Sequence, residues 1–534
     1  MDTLLTAEIV ANSPQFRRKS SIFVDAIHDL PEKADLAPAQ LYSTESGRLF
    51  HSGRIVIITV GLPARGKTHI SVALARYLRW LGVKTRIFHL GDYRRATIPS
   101  GEDMPDDYFF VNGKSSSASS VLLRQKIVRK CREDIYHFLN HENGQIAIYD
   151  AVNPLPSGRR SLAKEFAKHD IETLFIESWC DDERIIEENV LCFVEPGDAV
   201  KHYLTRISSR IPQFQTMEEK DLNYIKMINA GERLIINNQS FGYLSNRIVF
   251  YLLNLHIKSR RTYFARAGVS LEADSYKADA SLSEQGEDYA KKMTECLLAH
   301  RESEHRATGE QGETGYEARP LKVWTSTRRR TRPQMSQLHP GVCEKMSEER
   351  IRAEYADEVL KHELDPYHHR DILAPRIGGL AECNKANDIK KSYHDLAVRL
   401  EPIILELERE QNDLLIIAHE SVLRVLYGYL MACNAADIPF LEFPRDEIIE
   451  IIPESYQNEA RRIHIPQLPQ EIVPASPEDL KIPVPPSGIV SPIQGLNSPQ
   501  VVLLLRRVGC ARQVEFEPPR EPERILQEHV EDVV

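Results

Sequence analysis

The run Gly61-Leu-Pro-Ala-Arg-Gly-Lys67-Thr68 satisfies G-x-x-x-x-G-K-[ST] at every fixed position, directly after the β-branched run Arg54–Val60. A short apolar run without alternation suits a strand buried on both faces of a parallel sheet. Glycines let backbone N–H groups curl around phosphate oxygens, and the N-terminus of the next helix adds positive potential. In such a loop Lys67 reaches the β- and γ-phosphates and the Thr68 hydroxyl ligands Mg²⁺. Gly61, Leu62, Pro63, Ala64, Arg65, Gly66, Lys67 and Thr68 are thus the expected nucleotide cradle. The bland alternative is a chance match in a glycine turn, which the strand before and the helix after make rare.

The strand–helix pattern then repeats. Helix-like His69–Leu81 leads to strand-like Thr85–Leu90, Ser120–Asn140 to Gln145–Tyr149, and Arg160–His169 to Thr173–Glu177. Such alternation implies right-handed crossovers and a mainly parallel sheet covered by helices, an α/β fold. A helical stretch is expected near Leu222–Ala230, ahead of Ile248–Leu255. A second α/β unit follows, with strands Thr262–Arg266, Leu321–Thr325 and Leu414–Ala418 and helices Ser283–Ala299, Tyr393–Gln411 and Ser421–Cys433. The polar inserts His300–Arg319 and Asp371–Ile389 are read as surface loops. Residues 1–50 are expected to form a mobile arm. From Ile465 onward the chain carries 12 of its 31 prolines, so residues 467–534 should be a mostly disordered tail, within which Val501–Leu505 could dock as an edge strand.

Composition removes other classes. A net charge of −10 argues against a general nucleic-acid binder, which needs a basic excess. The longest apolar runs, such as Ile55–Leu62 and Ile248–Leu253, fall far short of the ~20 residues that span a bilayer. The opening MDTLLTAEIV has no basic region ahead of an apolar stretch, so no secretory signal is read. Eight cysteines without CxxC spacing suit reduced thiols. The expectation is a cytoplasmic protein with neither nucleic acid nor membrane as partner.

Asp150 closes the strand-like QIAIYD at the edge where open α/β sheets place ligands. It could ligand Mg²⁺, accept the proton of an acceptor hydroxyl, or merely cap a turn. Arg94, Arg124, Arg159 and Arg206 could clamp an anionic acceptor, although each alone reads as a solvated surface arginine. Cys180 alone reads as a buried strand-end thiol. Arg17-Arg18-Lys19-Ser20 fits the pattern of basophilic kinases, so a regulatory protein kinase acting at Ser20 is a candidate partner.

With GLPARGKT, then GDYRR, IYDAVN and FIESWCDD, the chain resembles 6-phosphofructo-2-kinase/fructose-2,6-bisphosphatase from about Arg54 to Pro466. The resemblance implies a P-loop kinase domain over 51–258 and a histidine-phosphatase-like α/β domain over 259–466. It implies that ATP with Mg²⁺ phosphorylates fructose 6-phosphate at its 2-hydroxyl, giving fructose 2,6-bisphosphate in the control of glycolysis and gluconeogenesis. By position it makes Lys67, Asp150 and Cys180 catalytic, Arg94, Arg124, Arg159 and Arg206 the sugar-phosphate clamp, and Thr68 and Asp150 the metal donors. A homodimer is allowed. Two departures stand out in this half: ENVLCFVEPGDAV has no lysine between Asn189 and Lys201, where the family's lysine contacts ATP, and Val152 replaces a frequent threonine.

In the second half the resemblance places a nucleophilic histidine within Arg-His-Gly-Glu, but this chain reads Arg266-Ala267-Gly268-Val269. Arg330, Glu344 as the acid position, Tyr355, Arg370, His419 and Arg424 complete the implied phosphatase-like pocket. Alanine cannot take a phosphoryl group, so hydrolysis is expected to be absent. Taken without the family, His419 is a strand-end histidine in a polar network. Two other functions stay open: a catalytically impaired homologue that binds ATP or sugar phosphates and regulates a partner, or a P-loop kinase for another small molecule.

Overall fold

The computed structural model describes residues 37–39, 53–97, 108, 117–183, 185–186, 189, 214–238, 242–256, 260–271, 281–309, 320–325, 346–369, 392–453 and 457–468. Ser20 with most of the arm, the stretch holding Arg206, the insert 371–389 and the tail beyond 468 with Val501–Leu505 lie outside these residues.

The chain divides into two compact units, the first built on residues 55–67 and 86–229. Chain order here runs β1 (Arg54–Val60), α1 (Lys67–Trp80), β2 (Thr85–His89), α2 (Leu90–Thr97), α3 (Ala118–Asn140), β3 (Ile146–Asp150), α4 (Pro156–Ala167), β4 (Ile171–Trp179), β5 (Tyr224–Ile228) and β6 (Arg233–Asn237). The sheet order is β2-β3-β1-β4-β5-β6, and β1 pairs in parallel with β3, as β4 does with β5. Ile55, Val56, Ile57 and Ile58 are all 0% exposed, which is why β1 reads as continuous apolar sequence: neither face meets water. One face packs Val56, Ile58 and Val60 with Phe138, Phe166 and Phe175. Each such side chain contributes about 1.5–3 kcal/mol by leaving water.

Two local readings are corrected here. Tyr224–Ile228, expected within a helix, is strand β5, where Ile225 and Met227 are buried while Tyr224 and Lys226 are less so. That period of two outweighs the helical reading once β4 offers a parallel partner. Helix α4 starts at Pro156, not Arg160, because proline's fixed φ suits a first turn.

The second unit takes in residues 68–85, and hence most of α1, together with Ala230–Ile482, and hence β6. It adds α5 (Tyr243–Asn254), β7 (Thr262–Arg266), α6 (Glu284–Gly309), β8 (Leu321–Thr325), α7 (Glu348–Glu354), α8 (Ala356–Leu364), α9 (Tyr393–Arg409), β9 (Asp413–Ala418), α10 (Glu420–Leu430), β10 (Glu447–Pro453) and β11 (Asn458–His464). The sheet order is β11-β10-β7-β9-β8, with β7, β9 and β8 parallel and the β10–β11 hairpin antiparallel. Helix α6 continues through Gly309, where a loop from His300 was expected. Residues 300–304 carry no apolar stripe and are held by charge instead. Arg261 pairs with Glu304 at 2.8 Å, Arg301 with Asp413 at 3.1 Å, and His300 meets Glu450 at 3.3 Å. Among the described residues, no helix is long and apolar enough to cross a membrane.

Candidate active site and phosphatase-like pocket

The phosphate loop leaves β1 at Gly61, whose φ of +144° is open to glycine but strained for other residues. A Cβ there would sit 2.6 Å from the Ser178 carbonyl oxygen, so β4 passes too close for any side chain. Further ties shape the loop: Gly61 N–H donates to Val152 O at 3.1 Å, Asn189 Nδ2 donates to Ala64 O at 3.2 Å, and the Ser178 hydroxyl donates to Arg65 O. Lys67 folds back to donate to Leu62 O at 2.7 Å. Burial lowers its pKa to about 8, with Asp150 opposing that fall and Arg65 and Arg94 adding to it.

Asp150 ends β3 beside β1 and is 8% exposed. Thr59 Oγ1 donates to its Oδ1 at 2.9 Å, with Ala151 O as an alternative acceptor, and itself accepts from Ala151 N–H at 3.0 Å. His89, the last residue of β2, places Nδ1 2.8 Å from Oδ2. Three adjacent strand ends therefore hold one carboxylate. Asn153 Nδ2 donates to Thr59 O at 2.8 Å and fixes the turn beyond Asp150. Cys180 follows β4, donates weakly to Asp182 O at 3.6 Å, and burial pushes its thiol pKa up.

The arginines separate into two kinds. Arg94 of α2 is buried, and Arg124 of α3 lies 5.9 Å from the Tyr108 ring centroid. Burial raises the Tyr108 hydroxyl's pKa, and Arg94 and Arg124 both pull it down, so the two cations stand near one phenol. Arg159 is 0% exposed. Its guanidinium pairs with Glu219 at 2.7 Å and donates to the carbonyls of Asn153, Gln215 and Thr216. The expected clamp residue is a strut inside the unit.

In the second unit β7 ends at Arg266 beside the end of β9, where Arg266 and Ala418 are register partners. Ala267 N–H donates to Ala418 O at 3.0 Å. Arg266 pairs with Glu420 at 2.9 Å and Arg424 pairs with the same carboxylate at 2.7 Å. Arg424 also donates to Leu441 O at 2.7 Å and Tyr393 Oη at 3.0 Å, while Arg445 donates to Ala267 O at 3.1 Å. His419 caps α10, its Nδ1 accepting from Ser421 N–H at 3.3 Å, which places the imidazole proton on Nε2. The residue is exposed overall. Desolvation of its imidazole, with Arg266, Arg424 and Arg445 nearby, lowers its pKa, so it is neutral near pH 7.

A profile described as 6-phosphofructo-2-kinase matches residues 42–259, and one described as the histidine phosphatase superfamily (branch 1) matches 262–465. A Saccharomyces cerevisiae protein with the provisional name 6-phosphofructo-2-kinase/fructose-2,6-bisphosphatase is 37% identical, covering 84% of this chain and 90% of its own. The chain belongs to this bifunctional family. Human 6-phosphofructo-2-kinase/fructose-2,6-bisphosphatase 1 is 30% identical over 82% of this chain and 93% of its own. Fructose-2,6-bisphosphatase of Saccharomyces cerevisiae is 32% identical over 77% of this chain and 88% of its own.

For this member of the family the structure gathers Lys67 and Asp150 with Arg94 in electrostatic reach, and separately Arg266, Ala267, His419 and Arg424. Tyr355 lies at the junction of α7 and α8. Arg206, Arg330, Glu344 and Arg370 fall outside the described residues, as does the stretch from 190 to 201. Sequence reading missed Thr59, His89 and Arg445. A threonine inside an apolar run and a histidine at a strand end were the available signals; Arg445 offered none.

Proposed function

We propose that the protein is an ATP-dependent 6-phosphofructo-2-kinase that makes fructose 2,6-bisphosphate and does not hydrolyse it. The observation that carries the kinase reading is a buried phosphate-loop lysine, Lys67, in electrostatic reach of an oriented strand-end aspartate, Asp150, in a chain of this family. In the transfer, the O–H bond of the sugar 2-hydroxyl breaks and its proton goes to an Asp150 carboxylate oxygen. That hydroxyl oxygen bonds the γ-phosphorus, and the bridging oxygen leaves with ADP. Lys67 offsets the charge that builds on the phosphoryl oxygens. Arg94 and Arg124 remain the clamp for the sugar phosphate, Arg206 stays a candidate, and Cys180, a neutral thiol, lines the site without acting as a nucleophile.

A hydroxyl and a carboxylate are hard oxygen donors that suit Mg²⁺, and Thr68 and Asp150 would hold it. When bound it neutralises β- and γ-phosphate charge. The kinase and phosphatase-like domains are assigned to 51–258 and 259–466, a division that the two profile matches support. A cytoplasmic location, a homodimer and control by phosphorylation at Ser20 remain part of the proposal.

Absence of hydrolysis rests on Ala267, whose methyl group cannot accept a phosphoryl group where the family uses histidine. The deciding assay supplies fructose 6-phosphate and MgATP and measures fructose 2,6-bisphosphate. Formation that disappears in Lys67→Met and Asp150→Asn supports the reading; no formation by the parent overturns it. A second reading, a binding-only regulator, is favoured by the lack of lysine between Asn189 and Lys201. It predicts nucleotide binding without turnover.

A further inference from the structure

The geometry points to His89 and Thr59 as positioning residues for the Asp150 carboxylate, an assignment that rests on Asp150 being the proton acceptor of the proposed kinase. The sheet order β2-β3-β1 sets β3 between the strands that carry them. Thr59 is the penultimate residue of β1, His89 the last of β2 and Asp150 the last of β3. Thr59 Oγ1 reaches Oδ1 at 2.9 Å from one side and His89 Nδ1 reaches Oδ2 at 2.8 Å from the other. Both oxygens are thereby fixed, and the plane of the carboxylate with them.

The arrangement has a chemical purpose beyond packing. The His89 and Asp150 side chains are 14% and 7% exposed, so water does little to orient this carboxylate. A buried carboxylate held by only one contact can rotate about its Cβ–Cγ bond, and a proton acceptor must stay within hydrogen-bond reach of the hydroxyl it deprotonates. The charged groups around the pair are Lys67, which Asp150 influences electrostatically, and Arg65 and Arg94, which act on Lys67. His89 and Thr59 hold the two oxygens by hydrogen-bond contact, and Lys67 contributes to the local field. Neither positioning residue needs to touch the sugar.

The experiment compares the full-length parent with His89→Ala, His89→Asn and Thr59→Val, measuring fructose 2,6-bisphosphate formation, ATP affinity and crystal structures. His89→Ala is expected to lower kcat about 10- to 100-fold with KM for both substrates within about twofold, as removal of an orienting partner does. Asparagine places an amide N–H close to where Nδ1 stands, so His89→Asn is expected to recover most of kcat. In crystals of His89→Ala the Asp150 carboxylate should turn off its contact with Thr59. An unchanged kcat, a loss confined to KM, or an asparagine variant no better than alanine would overturn the assignment. So would an Asp150 carboxylate that keeps its orientation in the His89→Ala crystal. A parent that binds ATP but makes no product would sink the kinase reading instead, and the carboxylate orientation would still decide the positioning role.

Discussion

Lys67 is a cation held largely out of water at the start of α1, and this sets a pH dependence. Burial lowers its pKa from 10.5 to about 8, so in the free protein it is mostly charged at pH 7 and mostly neutral at pH 9. A bound triphosphate favours the charged amine and raises that pKa, so binding takes up a proton between these limits. ATP affinity should fall about tenfold from pH 7 to pH 9. Calorimetry in buffers of different ionisation enthalpy checks the uptake, and Lys67→Arg, charged throughout, should flatten the dependence. Arg159 belongs to the same scale with the opposite lesson. Its type and position suggested a substrate clamp, yet a guanidinium with Glu219 and three carbonyls as partners is already satisfied. Arg159→Met should cost about 3–5 kcal/mol in urea unfolding, because Glu219 is left as a buried, unpaired charge. Side-chain partnerships of this kind are not legible in sequence. Thr59 and His89 meet Asp150 only because β2, β3 and β1 become neighbours, and sheet order is not a local property.

Elements were legible where one periodicity acted alone. The apolar run of β1 and the loop behind it announced a strand and a phosphate cradle, and the spacing of Gly61 and Gly66 carried the turn. Gly61→Ala should abolish detectable ATP binding and lower the melting temperature, since its methyl group would lie 2.6 Å from Ser178 O at a φ of +144°. Retention of both properties would show that the loop relaxes. The stretch 300–304 of α6 was illegible because ion pairs to Arg261, Asp413 and Glu450 replace an apolar stripe. Helix α1 shows how charge also stabilises an element inside the second unit. Arg76 pairs with Glu408 of α9 at 2.7 Å, and Tyr429 of α10 donates to the same carboxylate. Beside them Tyr77 stacks on Tyr251 of α5 with ring centroids 4.3 Å apart. Burial resists ionisation of Glu408, but Arg76 and the Tyr429 hydroxyl outweigh it and hold its pKa below the ordinary value. Its contribution to stability is therefore present above the ordinary carboxyl range and lost as pH falls through the lowered pKa. Arg76→Met should cost about 3–5 kcal/mol in urea unfolding, and adding Glu408→Gln should recover part of that loss.

At the scale of the whole molecule, two α/β units match the two domain families of one bifunctional family, and the sequence made both visible through their motifs. The net charge of −10 gave no hint of anionic substrates, because the cations that would meet phosphate are local. In the second unit Arg266, Arg424 and Arg445 stand near His419, and Arg445 donates to the Ala267 carbonyl. The proposed function is synthesis without hydrolysis. The most direct measurement incubates purified full-length protein with fructose 2,6-bisphosphate labelled at the 2-phosphate, without ATP, and follows phosphate release. The parent and Lys67→Met are both predicted to release none above the uncatalysed background, while the parent given fructose 6-phosphate and MgATP accumulates product. Release by both proteins that is lost in His419→Ala would contradict the claim.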